Sequence, residues 1–265
     1  MPTFERDGAT IAYTDTRTPD VPVIVFGHGL LFSGWMFHPQ VAALRDRYRC
    51  VTVDWRGQGD SPPAPGGYDM DTLTADAVAL IRELGVAPVH WVGLSMGGFV
   101  GLRLAARHPE LVRSLVVLDT TARGEEPAKS RRNELLARVQ QLTGIRAVLG
   151  RVKPILFGPA FLADPASRRL VDEWVSRLVR VDRGGLRQAV LGVSRRVPVT
   201  AELAGITAKT LVIVGADDVA TPPAEAGELA ARIPGAELHV LPDCGHSSSL
   251  ERPAAITGLL EEFFA

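Results

Sequence analysis

The chain has 265 residues, 46% of them apolar, and its 29 Lys and Arg against 30 Asp and Glu leave a net charge of -1. That length and apolar fraction suffice for a large core, and α/β chains of this size often fold as one domain. The charge balance gives no basic surface for nucleic acid or an anionic membrane, no apolar run reaches a membrane-spanning length, and Met1 to Gly8 lacks the basic-then-apolar pattern of a signal peptide.

In chain order, Phe4 to Arg6 and Ile11 to Thr14 read as a hairpin around Asp7-Gly8. Val21 to Phe26 is an apolar strand ending in Gly27-His28-Gly29-Leu30. Met36 to Arg45 has helical spacing, and Cys50 to Trp55 reads as a strand. Tyr68 to Leu84 is an amphipathic helix with Leu73, Ala77, Leu80, Ile81 and Leu84 on one stripe. A strand over Val89 to Val92, a helix over Phe99 to Arg107 and a strand over Leu111 to Leu118 follow. Nearly all-apolar strands alternating with helices imply a parallel sheet covered on both faces.

After Asp119-Thr120-Thr121-Ala122 the alternation stops. Residues 123–204 contain no Val/Ile-rich strand; 129–149, 165–181 and 185–195 read as helices, broken by Pro154, Pro159, Pro165 and Gly184-Gly185. Alternation resumes with a strand over Thr210 to Gly215, a helix over Pro223 to Arg232, a strand over Glu237 to Leu241 and a helix over Pro253 to Phe264. The expected organisation is a core of residues 1–122 and 205–265, with 123–204 inserted as a helical cap. Arg131, Arg132, Arg168, Arg169, Arg195 and Arg196 alternate with acids and apolar residues, the pattern of a solvated helix face.

The chemistry-bearing stretch is Gly93-Leu94-Ser95-Met96-Gly97-Gly98. A serine between glycines, with a strand before it and a helix after it, reads as a strained turn that displays the serine Oγ. Glycines two residues before and after Ser95 remove Cβ atoms that would clash across the turn. His246, in Asp243-Cys244-Gly245-His246-Ser247 after the last strand, stands where the base should be. His90 and His239 fall in strands, His38 and His108 on helix surfaces, and His28 in the loop after the Val21 to Phe26 strand. The acid has three candidates: Asp217 and Asp218, adjacent in the loop Gly215 to Pro223, and Asp119 just past another strand. Backbone N–H groups for a developing oxyanion are expected from Leu30 and Met96. Cys50 and Cys244 are not in a metal-ligand spacing. Cys50 reads as buried in a strand and Cys244 as a neighbour of the site. No cofactor or metal is called for.

Across nearly its full length the chain resembles the serine α/β-hydrolase superfamily. The matching pieces are Gly27-His28-Gly29, Asp54 to Ser61, the Ser95 turn, Gly215-x-x-Asp218-x-x-x-Pro222 and Gly245-His246. The resemblance implies that Asp218 is the acid, that Asp54 to Ser61 is a structural loop, and that Gln58 stands where a histidine is most often found. Gly93 to Gly98, Leu118 to Ala122, Ala220 to Pro223 and Leu229 to Ala236 are similar to the branch of 3-oxoadipate enol-lactonases and small-molecule esterases. That likeness implies a hydrolase of a small carboxylic ester or lactone, with arginines of the insertion available to a substrate carboxylate and a perhydrolase (haloperoxidase-like) side activity. The polar Met1 to Gly8 stretch and the lack of a long apolar run make the cytoplasm the expected location. The other readings are a C–C bond hydrolase, against which Ser247 stands where such enzymes usually carry tryptophan, and a receptor-like ligand-binding member of the fold.

Overall fold

The chain is described over residues 1–265 by a computed structural model. Eight strands make one sheet: β1 (Thr3–Arg6), β2 (Ala9–Asp15), β3 (Val23–Gly27), β4 (Arg49–Val53), β5 (Val89–Leu94), β6 (Val112–Leu118), β7 (Lys209–Gly215) and β8 (Glu237–Leu241). Their order is β1-β2-β4-β3-β5-β6-β7-β8. β1 and β2 pair antiparallel, as do β2 and β4; every pair from β4 to β8 is parallel. The period-2 alternation of the strands divides the core. Val25, Trp91, Val117 and Val212 point into one apolar cluster, and Ile24, Phe26, Val92, Val116 and Ile213 into the other.

The helices are α1 (His38–Leu44), α2 (Met70–Glu83), α3 (Met96–Arg107), α4 (Pro127–Thr143), α5 (Leu149–Leu156), α6 (Pro159–Ala163), α7 (Arg168–Leu178), α8 (Arg183–Ser194), α9 (Pro223–Arg232), α10 (Ser248–Glu251) and α11 (Pro253–Phe264). α2, α3 and α9 contribute to the first cluster, and α1 and α11 to the second. α4 to α8 all fall between β6 and β7. Val152, Leu156, Val171, Trp174 and Leu186 of these helices join the second cluster beside Phe32 and Trp35. Trp174 also donates its indole N–H to the Leu31 carbonyl at 2.9 Å, tying α7 to the loop after β3.

Three expectations for the insertion need correction. Residues 129–149 are not one helix: Gly144, at φ 90°, ends α4, and a 3-10 turn leads into α5. Pro154 does not break a helix but lies inside α5, six residues into an eight-residue element. There its ring removes only one late backbone bond. The break between the helices falls at 179–182, and Gly184-Gly185 lies inside the first turn of α8, because the Asp182 carboxylate accepts the Gly185 N–H at 2.7 Å and caps that turn. α6, only five residues long, had no periodicity to reveal it.

Candidate active site

Ser95 joins the end of β5 to the start of α3 at φ 50° and ψ -108°, a conformation that side-chain-bearing residues rarely adopt. The packing around it explains why the neighbours are glycines. A Cβ on Gly93 would lie 2.2 Å from the Gly97 carbonyl oxygen, and one on Gly97 would lie 1.9 Å from that of Gly27. The Ser95 N–H donates to the Leu118 carbonyl (2.8 Å), the Thr120 hydroxyl to the Ser95 carbonyl (2.9 Å), and the Gly97 N–H to the His28 carbonyl (3.1 Å). β3, β5 and β6 thus hold the turn, and the positive end of the α3 dipole lies beside Ser95.

Ser95 Oγ lies 2.9 Å from His246 Nε2, and His246 Nδ1 lies 2.8 Å from Asp218 Oδ2. Ser95, His246 and Asp218 are 7%, 5% and 3% exposed, so the line is shielded from water. Asp218 is held by the backbone N–H groups of Ala220 (2.8 Å) and Thr221 (3.0 Å) on Oδ1 and by the Thr221 hydroxyl (2.8 Å) on Oδ2. Burial works to raise the Asp218 pKa, but the His246 charge and hydrogen bond, with the Thr221 donors, bring it below its ordinary value. Burial likewise works to lower His246, and the Asp218 charge and hydrogen bond outweigh it, so His246 is raised. With the Nδ1 proton directed at Asp218, Nε2 faces Ser95 as an acceptor. Such a line can withdraw the serine proton as Oγ attacks a carbonyl.

The other two aspartates are placed differently. Asp217 stands outside the line; its backbone N–H donates to the Cys244 carbonyl. Asp119 is fully buried and accepts the Gly215 N–H at 2.9 Å on Oδ1 and the Ser248 N–H at 3.2 Å on Oδ2. It braces the loop that carries His246 against the ends of β6 and β7. Burial, followed by the Asp218 charge, pushes its carboxyl up to about 8.

The Leu30 and Met96 N–H groups donate to no group of the chain. Gln58 adjoins both positions: its Oε1 accepts the Leu31 N–H at 3.0 Å, and its Nε2 lies 4.0 Å from the Met96 sulfur. The sequence marked Gln58 only as a substitution. Its bracing role depends on loops far apart in the chain. His28 is fully buried, with Nδ1 2.7 Å from the Gly29 carbonyl and Nε2 accepting the Trp55 N–H at 3.0 Å. Burial holds its pKa near 3, so it shapes the loop as a neutral ring. Cys50 and Cys244 are buried, and burial raises both thiols.

Glu251 was not singled out from sequence. Its Oε2 accepts the N–H groups of Gly158 (3.0 Å) and Gly245 (2.9 Å), and its Oε1 that of Ser247 (3.1 Å). The Ser247 hydroxyl donates to the Leu156 carbonyl at 2.7 Å. The residues on either side of His246 are therefore fastened to one another and to the α5–α6 junction. Its one sequence signal was an acid five residues after the histidine.

A cavity of about 90 Å³ opens at Ser95 and His246. Leu30, Phe32, Phe99, Ile155 and Val193 belong to its apolar lining, with Glu125, Asn133 and Arg196 on its polar side. A second cavity, of about 110 Å³, shares Leu30, Asn133, Ile155 and Leu156 and runs between helices of the insertion. Here the reading of the arginines needs correction. Arg131, Arg132, Arg168, Arg169 and Arg195 are exposed as expected, but Arg196 is buried, drawn in by a salt bridge to Glu125 and by the face of Phe99.

This sheet, with a serine at the β5–α3 turn and a histidine beyond β8, is the architecture of a hydrolase. The chain belongs to the alpha/beta hydrolase fold family, whose model matches residues 22–253. It is 33% identical over 266 residues to a putative non-heme bromoperoxidase, BpoC, of Mycobacterium tuberculosis, covering 96% of this chain and 97% of that one. It is 30% identical over 260 residues to 3-oxoadipate enol-lactonase 2 of Acinetobacter baylyi, covering 98% of this chain and 94% of the relative. The enol-lactonase structure from Burkholderia xenovorans LB400 superposes with a TM-score of 0.91 at 31% identity over 99% of both chains. No helix is long and apolar enough to cross a membrane.

The hydrogen-bonded line predicts a titration. In a 15N NMR experiment on the imidazoles, His246 should titrate above the ordinary histidine value of 6.5. Asp218→Asn should move that midpoint down, because burial then acts with less opposition. An unchanged or higher midpoint in a folded variant would contradict the pairing.

Proposed function

We propose that the protein is a serine hydrolase of small carboxylic esters or lactones, working through an acyl-enzyme on Ser95. The observation that carries this reading is the buried line from Ser95 Oγ to His246 Nε2 (2.9 Å) and from Nδ1 to Asp218 (2.8 Å), mounted on a strained turn. His246 takes the Ser95 proton as Oγ attacks the substrate carbonyl, and Asp218 orients the ring and stabilises its cation. The Leu30 and Met96 amides receive the oxyanion. His246 then protonates the leaving alkoxide, and a water deprotonated by His246 releases the acid. In a lactone both products remain one hydroxy acid. The enol-lactonase likeness favours this substrate class. Residues 123–204 act as a cap, since Ile155 and Leu156 of α5 and Val193 of α8 line the Ser95 cavity.

The bromoperoxidase likeness favours a secondary activity at the same serine. Hydrogen peroxide in place of water would release a peroxy acid from the acyl-enzyme, and the peroxy acid in turn oxidises bromide.

The test is hydrolysis of 4-nitrophenyl acetate by the purified protein and its variants. Ser95→Ala should lower kcat by something approaching 10⁶, and Asp218→Asn by roughly 10⁴ with the fold intact. Asp119→Asn should cost far less in kcat, because Asp119 braces the loop without touching the ring. Normal turnover by Ser95→Ala, or the large loss in Asp119→Asn in place of Asp218→Asn, would overturn the assignment. Exchanging residues 123–204 for the corresponding segment of a related esterase should reorder a panel of acyl esters. An unchanged order would remove the cap role.

A further inference from the structure

Arg196 is the one arginine of its group that turns inward, and its guanidinium is already engaged. Its Nε donates to the Arg123 carbonyl at 3.0 Å, and its Nη1 to Glu125 Oε2 at 3.0 Å and the Val193 carbonyl at 3.1 Å. The guanidinium carbon stands 4.4 Å from the centre of the Phe99 ring. Of five N–H donors, only the two on Nη2 have no partner in the chain. The side chains of Arg196 and Glu125 are 5% and 13% exposed, and both line the Ser95 cavity.

A cavity arginine with no internal partner takes a substrate carboxylate through two parallel hydrogen bonds. Here Glu125 Oε2 already neutralises the guanidinium through Nη1, and with backbone carbonyls on Nε and Nη1 no free pair of parallel donors remains. An entering carboxylate would shed its water to meet a guanidinium already neutralised, and would lie beside a second negative charge in a water-poor space. An uncharged group with an acceptor oxygen meets no such repulsion and takes the Nη2 donors directly. The remaining wall and the adjoining cavity are mainly apolar, which suits an aliphatic chain.

We propose that Glu125 is a built-in carboxylate on Arg196 and makes the site selective for esters or lactones whose remote end is uncharged, against those that carry a carboxylate there. This rests on the ester-hydrolase reading above. It divides the chain from an enzyme whose substrate must be an anion, although the fold is shared.

The test compares methyl pentanoate with monomethyl glutarate, which differ by a terminal methyl against a carboxylate, by methanol release. The wild type should favour methyl pentanoate in kcat/KM by roughly tenfold or more, the scale of an uncompensated like charge. Glu125→Gln should raise the glutarate-to-pentanoate ratio by about tenfold, mainly through a lower KM for the half-ester, because Arg196 is then released to receive the carboxylate. Glu125→Gln with Arg196→Gln should return the ratio towards that of the wild type, as neither charge remains. A purely structural salt bridge would change melting temperature and leave the ratio in place. If Glu125→Gln does not fold, Glu125→Ala removes the same charge and is read in the same way. A wild type that prefers the half-ester, or a ratio unmoved in a folded variant, overturns this proposal alone. Absence of turnover on either ester overturns the ester-hydrolase reading and this proposal with it.

Discussion

The close approach of three backbone segments governs the site. β3 ends at Gly27, β5 ends beside Gly93, and α3 begins beside Gly97, and no Cβ fits between them: one on Gly97 would lie 1.9 Å from the Gly27 oxygen. This contact lets α3 start directly after the strand and forces Ser95 to φ 50°. A residue in such a conformation costs about 1–3 kcal/mol. The bonds from the Ser95 N–H to Leu118 and from Thr120 to the Ser95 carbonyl offset that strain and prevent the turn from relaxing. Sheet packing therefore orients Oγ before any substrate arrives.

The histidine depends on a second set of constraints. Asp119 ties the Ser248 amide to that of Gly215, and Glu251 ties Gly245 and Ser247 to Gly158. Two buried carboxyl groups thus fix the loop around His246: Asp119 joins it to the end of β7, and Glu251 of α10 joins it to Gly158 of the helical insertion. The insertion is bound into the site: it meets the histidine loop at Gly158 and the loop after β3 through the Trp174 indole. A change of helix packing there would shift both the cavity wall and the base.

The sheet was legible because its strands are continuous apolar runs, and the Ser95 turn because its glycines act over two residues of chain. His246 was legible from its position after the last strand. The neighbours Asp217 and Asp218 were not separable by residue pattern, and only the resemblance favoured one. In the structure Asp218 meets the ring at 2.8 Å and Asp217 stands apart. What stayed hidden was set by distant contacts. Pro154 and Gly184-Gly185 look like breaks, yet one is tolerated late in α5 and the others are capped by Asp182. Arg196 has the same local pattern as Arg195 beside it. Glu125, 71 residues away, and Phe99 turn it inward. Gln58 and Glu251 likewise show their use only in the fold, where Gln58 meets the loop after β3 and the start of α3, and Glu251 joins the histidine loop to Gly158.

The account rests on Ser95 being an activated nucleophile. The most direct measurement is treatment of the native protein with a fluorophosphonate, followed by intact mass and peptide mapping. One phosphonyl adduct on Ser95 is predicted, blocked by prior unfolding and reduced sharply in Asp218→Asn. An adduct on another residue, or none on the folded protein at millimolar reagent, would contradict it.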